Sequence, residues 1–152
     1  MKRISIFTIL LALTVLSSVA QITKFFDKYA ETDGVTSVYI SKTMLNMMPD
    51  MKSNGMDMKA MAGKLDNIRI LTTENPQLVS KLRKDLSSSF NSKEYEELLR
   101  VNEGKEKTVI YMKTSPSGVN EYLILSEEAN ELNAILITGK ITPSDIQKAI
   151  NK

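Results

Sequence analysis

Apolar and polar positions fall into four short runs between Tyr95 and Gly139: Tyr95–Val101, Lys107–Lys113, Val119–Leu125 and Leu132–Gly139. The connectors are Asn102-Glu103-Gly104, Ser115-Pro116-Ser117-Gly118 and Glu127-Glu128-Ala129-Asn130. They carry turn chemistry, because Gly supplies positive φ, Pro presets φ and Asn tolerates the left-handed region. Runs this short, joined this tightly, predict an antiparallel four-strand meander. Both faces of that meander are apolar. Val109 and Tyr111 alternate with Ile110 and Met112, Leu123 and Leu125 with Tyr122 and Ile124, and Leu132 and Leu136 with Ile135 and Ile137. A sheet with one wet face shows a cleaner alternation, so helices are expected over at least one face and part of the other.

The same reading predicts the rest of the chain. Ile22, Phe25, Phe26, Tyr29 and Ala30 recur at helical spacing, and Asp33-Gly34 ends that helix. Val35–Ile40 is a β-branched and aromatic run that reads as a strand. Ser41 is placed to cap a helix holding Met44, Leu45 and Met48, which Pro49 ends or kinks. A second helix is predicted from near Asp57, with Met58, Met61, Ala62 and Leu65 on one face, followed by a strand over Asn67–Thr72. Asn75-Pro76 is a cap followed by proline at the first helical position, and Leu78, Val79, Leu82, Leu86 and Phe90 make a stripe carrying that helix to about Ser89. Its opposite face, with Lys81, Arg83, Lys84 and Asp85, reads as solvated. After the meander, Thr142-Pro143-Ser144-Asp145 forms a further cap, and Ile146, Ala149 and Ile150 would dock a last short helix. The order α-β-α-α-β-α-β-β-β-β-α defines an α+β domain, with an antiparallel or mixed sheet covered by short amphipathic helices.

The N-terminus changes the picture of where this domain works. Met1-Lys2-Arg3 precedes an apolar run from Ile4 to Leu16, broken only by isolated hydroxyl residues, and Ser18-Val19-Ala20 puts small residues at a cleavage site. Residues 1–20 are expected to be a secretory signal peptide, too short to span a bilayer, leaving residues 21–152 as a single exported domain, periplasmic or secreted. Cleavage removes Lys2 and Arg3 and leaves 18 basic against 18 acidic residues. A near-neutral chain lacks the electrostatic footprint of a nucleic-acid binder, so no nucleic-acid partner is expected.

Among the 152 residues there is no cysteine and no histidine. The core must therefore hold the fold without disulfides, and lipid attachment at a cysteine is excluded. Ser–His–Asp and Cys–His catalysis are excluded with them, as is the commonest zinc and haem ligand. Thioethers are then the only soft ligands, and seven of the nine methionines lie between Met44 and Met61. Met47, Met48, Met51, Met56, Met58 and Met61 could converge on Cu(I) if the segment folded back. The same spacing satisfies two amphipathic helices, so core packing, which is preferred, and a partner- or lipid-binding surface stay open beside copper. Acidic pairs, Glu96/Glu97, Glu127/Glu128 with Glu131, and Asp50 with Asp57, invite a carboxylate-hydrolase reading. Adjacent strand residues point to opposite faces, however, and Glu127 and Glu128 are placed in a turn. Ser41-x-x-Met44 lacks the lysine a Ser-x-x-Lys nucleophile needs, and Ser87-Ser88-Ser89 reads as a helix end. No catalytic residue, metal site or cofactor is assigned.

Three stretches carry a resemblance. They are Phe26-Asp27-Lys28-Tyr29 with Gly34-Val35-Thr36-Ser37-Val38-Tyr39-Ile40-Ser41-Lys42-x-Met44-Leu45, then Leu65-Asp66-Asn67-Ile68-Arg69-Ile70-Leu71-Thr72, and Ile137-Thr138-Gly139-Lys140-Ile141-Thr142. Together they resemble an uncharacterised family of small exported bacterial proteins, known as a domain of unknown function. The resemblance implies one exported domain and brings no activity or ligand with it. The expectation from the residues is a non-enzymatic binding or interaction domain, its partner a protein or a small apolar ligand. Methionine-based Cu(I) handling and carboxylate hydrolysis are the alternatives.

Overall fold

The computed structural model describes residues 19–47, 52–53, 56–90 and 93–145. In chain order the elements are α1 (Val19–Tyr29), β1 (Thr36–Ser41), α2 (Lys42–Asn46), β2 (Lys52–Ser53), β3 (Met56–Asp57), α3 (Met58–Lys64), β4 (Leu65–Thr73), α4 (Pro76–Ser89), β5 (Glu96–Glu103), β6 (Glu106–Thr114), β7 (Asn120–Glu128) and β8 (Glu131–Gly139). The fold is α+β, with one six-stranded sheet in the order β1-β4-β8-β7-β6-β5. Every neighbouring pair is antiparallel, which resolves the antiparallel-or-mixed alternative.

Local chemistry sets the boundaries. The Ser41 hydroxyl accepts a hydrogen bond from the Met44 N–H at 3.2 Å and starts α2. The Asn75 side chain accepts from the Gln77 N–H at 3.0 Å, with Pro76 at the first helical position of α4. At the far end Thr142 and Asp145 cap each other: the Thr142 N–H donates to the Asp145 carboxylate at 2.9 Å, and the Asp145 N–H to the Thr142 hydroxyl at 3.2 Å. Gly104 turns the β5–β6 hairpin at φ +59°, a conformation that favours glycine. Gly139 serves a different need. A Cβ there would lie 2.4 Å from the Lys64 carbonyl oxygen and 2.7 Å from the Leu65 Cα, where α3 runs into β4 against the end of β8.

Two apolar clusters sit on opposite faces. On the first face, Ile22, Phe25, Phe26 and Tyr29 of α1 and Val79, Leu82 and Leu86 of α4 close over Leu71, Leu123, Ala134 and Leu136 of the sheet. On the second, Leu45 of α2 and Ala62 of α3 join Leu65, Tyr122 and Ile141, with Ile40, Ile68, Met112 and Ile137 packed against them. Each fully buried aliphatic or aromatic side chain contributes about 1.5–3 kcal/mol, so clusters of this size hold the fold without disulfides.

The structure also corrects several expectations. A two-residue hairpin, β2 with β3, lies where no strand was expected. Two residues per strand are too few to leave a periodic signal. Glu127 and Glu128 are the last residues of β7 rather than part of a turn, and the turn is Ala129-Asn130. Ala30 is exposed, because α1 ends at Tyr29. Residues 1–18 of the expected signal peptide, Met48, Pro49, Asp50, Met51, Ile146, Ala149 and Ile150 lie outside the described residues.

Candidate functional site

Strand alternation and register together sort the second face into rows, since residues paired across antiparallel strands share a face. One row is Ile40, Ile68, Ile137, Tyr122 and Met112, paired from β1 through β6. It lies in the cluster with Leu45 and Ala62, so α2 and α3 cover it. Two residues further along each strand, the register aligns Val38, Ile70, Ile135, Ile124, Ile110 and Leu99, one aliphatic side chain from each of the six strands. None of these six belongs to either buried cluster. The four central ones are half-buried, and the outer two are open, Val38 at 41% and Leu99 at 50% exposure. Beyond them runs a polar row, Thr36, Thr72, Asn133, Ser126 and Thr108, ending at Val101. The Thr72 hydroxyl donates to Asn133 at 2.6 Å and the Thr108 hydroxyl to Ser126 at 3.3 Å, so this row is tied together laterally. Among the described residues no helix covers this half of the face, and it is the candidate site.

Titratable groups elsewhere are engaged in holding the fold. Tyr95 is buried and donates to the Glu121 carboxylate at 2.6 Å, and Lys113 pairs with Glu94 at 3.0 Å beside it. Burial and the Glu121 carboxylate push the Tyr95 phenol well up. Tyr29 donates to Asp85, which also pairs with Lys28. Burial and Asp85 raise the Tyr29 phenol, while Lys28 and then Tyr29 hold Asp85 below the usual carboxylate range. Burial likewise raises Tyr122, whose hydroxyl donates to the Ile141 carbonyl at 2.9 Å. Lys64, then the Thr142 backbone and hydroxyl, hold Asp145 far down. These pairs cross-brace α1 to α4, β7 to the β5 approach, and α3 to the C-terminal cap.

The residues singled out from the sequence do not come together as a reaction centre. Met44 and Met47 are open at 58% and 73% exposure, contrary to core packing, because α2 is a five-residue helix that buries Leu45 alone. Met61 is half-buried and packs against the second cluster. Met48 and Met51 lie outside the described residues, and nothing is described of the Met56 and Met58 side chains. Glu96 pairs across from Met112 and Glu97 across from Tyr111, so they do face opposite ways. Glu97 forms an ion pair with Arg100, and Glu127 with Arg83 at 2.9 Å. Ser87 and Ser88 donate back to the Arg83 and Lys84 carbonyls within α4. Among the described residues no group of three or more carboxylates is placed to hold a metal ion. The aliphatic row itself escaped the sequence reading. Its members are visible as one half of each alternation, but their alignment depends on registers that turn composition does not specify.

The class is thus an α+β domain with an open antiparallel sheet, one face closed by helices and the other half-closed. The chain belongs to the family Domain of unknown function (DUF4252), whose model matches residues 29–149. No curated protein matches the chain. Among the described residues no helix is long and apolar enough to cross a membrane.

Proposed function

We propose that this protein is a non-enzymatic binding domain of the exported compartment, and that it holds its partner on the uncovered half of the second sheet face. The observation that carries this reading is the row Val38–Ile70–Ile135–Ile124–Ile110–Leu99, which crosses the whole sheet outside both buried clusters. Contiguous apolar surface of this kind costs solubility unless something binds to it. A neighbouring row of the same face already lies under α2 and α3, and among the described residues that helical cover does not extend to the aliphatic row. The missing cysteine and histidine, together with the ion-paired state of Glu97 and Glu127, support binding over catalysis. The signal-like N-terminus supports export.

The test is site-specific photo-crosslinking in cells carrying the full chain with its own leader. A benzophenone side chain at Leu99 should give a discrete crosslinked species. One at Lys84, on the exposed face of α4, should give none. Crosslinking that is equal at both positions, or absent from Leu99 and Val38 alike, would overturn the reading.

A further inference from the structure

The uncovered face is graded in charge, and the gradient specifies a partner. One more step along the strands beyond the hydroxyl row lie Glu103 and Glu106, opposed across the β5–β6 hairpin, and Glu128 and Glu131, opposed across β7–β8. They project from the same face as the aliphatic row, because each is an even number of residues from it along its own strand. Glu106, Glu128 and Glu131 line one shallow cleft with Ser126 and Asn133. Glu74 adjoins Glu128 and Glu131 in the next. No described lysine or arginine pairs with any of these five glutamates, although seven other ion pairs stand among the described residues. The acids form a line rather than a knot, and no metal-holding group of carboxylates is present among the described residues.

Resting on the binding-domain reading, we infer that the partner is a cationic amphipathic helix of another protein, its apolar face on the aliphatic row and its lysines or arginines over the glutamate row. The dimensions agree. Six strands at roughly 4.8 Å spacing make a row about 24 Å long, the length of a helix of about 16 residues at 1.5 Å per residue. The aliphatic and glutamate rows are four residues apart, about 13 Å, close to the 10–12 Å diameter of a helix with its side chains. A helix seated on the aliphatic and hydroxyl rows therefore places its flank above the carboxylates. Ser126 and Asn133 donate to Glu106 and Glu131 but leave their charge in place, so an anionic helix in the same seat would meet carboxylates that no described lysine or arginine offsets, and the line of glutamates discriminates as well as attracts.

The experiment uses the mature chain and two fluorescein-labelled 18-residue peptides at helical amphipathic spacing, one of leucine and lysine, the other of leucine and glutamate. Fluorescence anisotropy should show the lysine peptide binding at least about tenfold more tightly, with the difference shrinking as salt rises. The triple variant Glu106→Gln, Glu128→Gln, Glu131→Gln should weaken the lysine peptide about tenfold, three exposed pairs each contributing a factor of a few. Urea midpoints check that the variants fold. Equal binding of both peptides, no binding of the lysine peptide, or its indifference to the triple variant overturns the cationic-helix inference. If in that event Ile124→Ser still abolishes binding of either peptide, the row remains a binding surface and only the partner's chemistry was wrong. If neither peptide responds to Ile124→Ser and crosslinking from Leu99 also fails, the binding-domain reading falls with it.

Discussion

The two faces of the sheet are built from the same kinds of residue and are finished differently. Leu123 and Ile124 are neighbours on β7, so they point to opposite sides. Leu123 is fully buried among side chains of α1 and α4, whereas Ile124 stands half-open in the aliphatic row. On the first face Leu71, Leu123, Ala134 and Leu136 return the full free energy of burial, and the β1 edge, at Tyr39, stays open. The second returns it only along the row under α2 and α3. The row is half-buried at its four central positions and open at Val38 and Leu99, so it contributes less to folding than its counterpart on the first face, and that shortfall is the ground of the proposed binding role.

The sharpest way to break this comparison is to truncate both sides of it. Leu123→Ala and Leu82→Ala, each removing a fully buried side chain from the first cluster, should cost about 2–5 kcal/mol in urea or guanidinium melts. A small domain of this kind has only about 5–15 kcal/mol in total, so either variant should be visibly destabilised. Ile124→Ala should cost less, about 1–2 kcal/mol, because part of its surface stays open in the folded state. Equal losses at 123 and 124 would mean that the second face is closed after all. A loss at Leu82 below about 1 kcal/mol would remove α4 from the first cluster.

A smaller effect is expected at the buried phenol beside the first face. Tyr95→Phe leaves Glu121 without its donor and should cost about 1.5–3 kcal/mol, the range for hydrogen bonds to a charged group. Its pH dependence has a definite sign. The folded-state value of Tyr95 is raised above that of a free tyrosine, so its contribution is complete below about pH 10 and is lost as pH rises further, where only the unfolded chain ionises. The wild type should therefore lose stability above about pH 10 more steeply than Tyr95→Phe. Parallel slopes would disconnect this phenol from folding.

The C-terminal cap acts in the opposite direction. Asp145 is held down by Lys64 and Thr142, so its contribution is present above about pH 4 and is lost as pH falls below that. Asp145→Asn should lower the urea midpoint at pH 7 and narrow its gap from the wild type at pH 3. A gap that stays constant with pH would show that the carboxylate's charge does not hold the cap.

How much of this was legible beforehand follows from the range over which each signal acts. Asn75-Pro76, Ser41 and the Thr142–Asp145 cap were readable because a cap is decided within four residues. The meander was readable from period-two alternation and its turns, and so was the need for cover on one face and part of the other. The strand order β1-β4-β8 was not, since it joins residues about 30 and 65 positions apart that share no local code. The open row and the glutamate line are consequences of that order, so they too appear only once the registers are known. Met44 and Met47 failed as core residues because α2 is too short to present more than one inward position. Helical spacing alone implied a longer element.

The smallest expected effect is the one that most sharpens the comparison. Leu99 lies at the β5 edge of the aliphatic row at 50% exposure, and every residue of β5 from Glu96 to Glu103 is exposed. Replacing a side chain that stays wet in both states changes little transfer free energy, so Leu99→Ser should move stability by no more than about 0.5 kcal/mol. The same substitution removes an apolar end of the row and an exposed apolar side chain on an edge strand, where unpaired backbone groups invite pairing with other chains. It should therefore leave the melt unchanged while making the protein harder to precipitate and weakening the leucine–lysine peptide. Denaturant titration, precipitation in ammonium sulfate and peptide anisotropy read the three outcomes separately. A loss of 1 kcal/mol or more would make Leu99 a structural residue, and the open row would then be part of the core rather than a surface kept free.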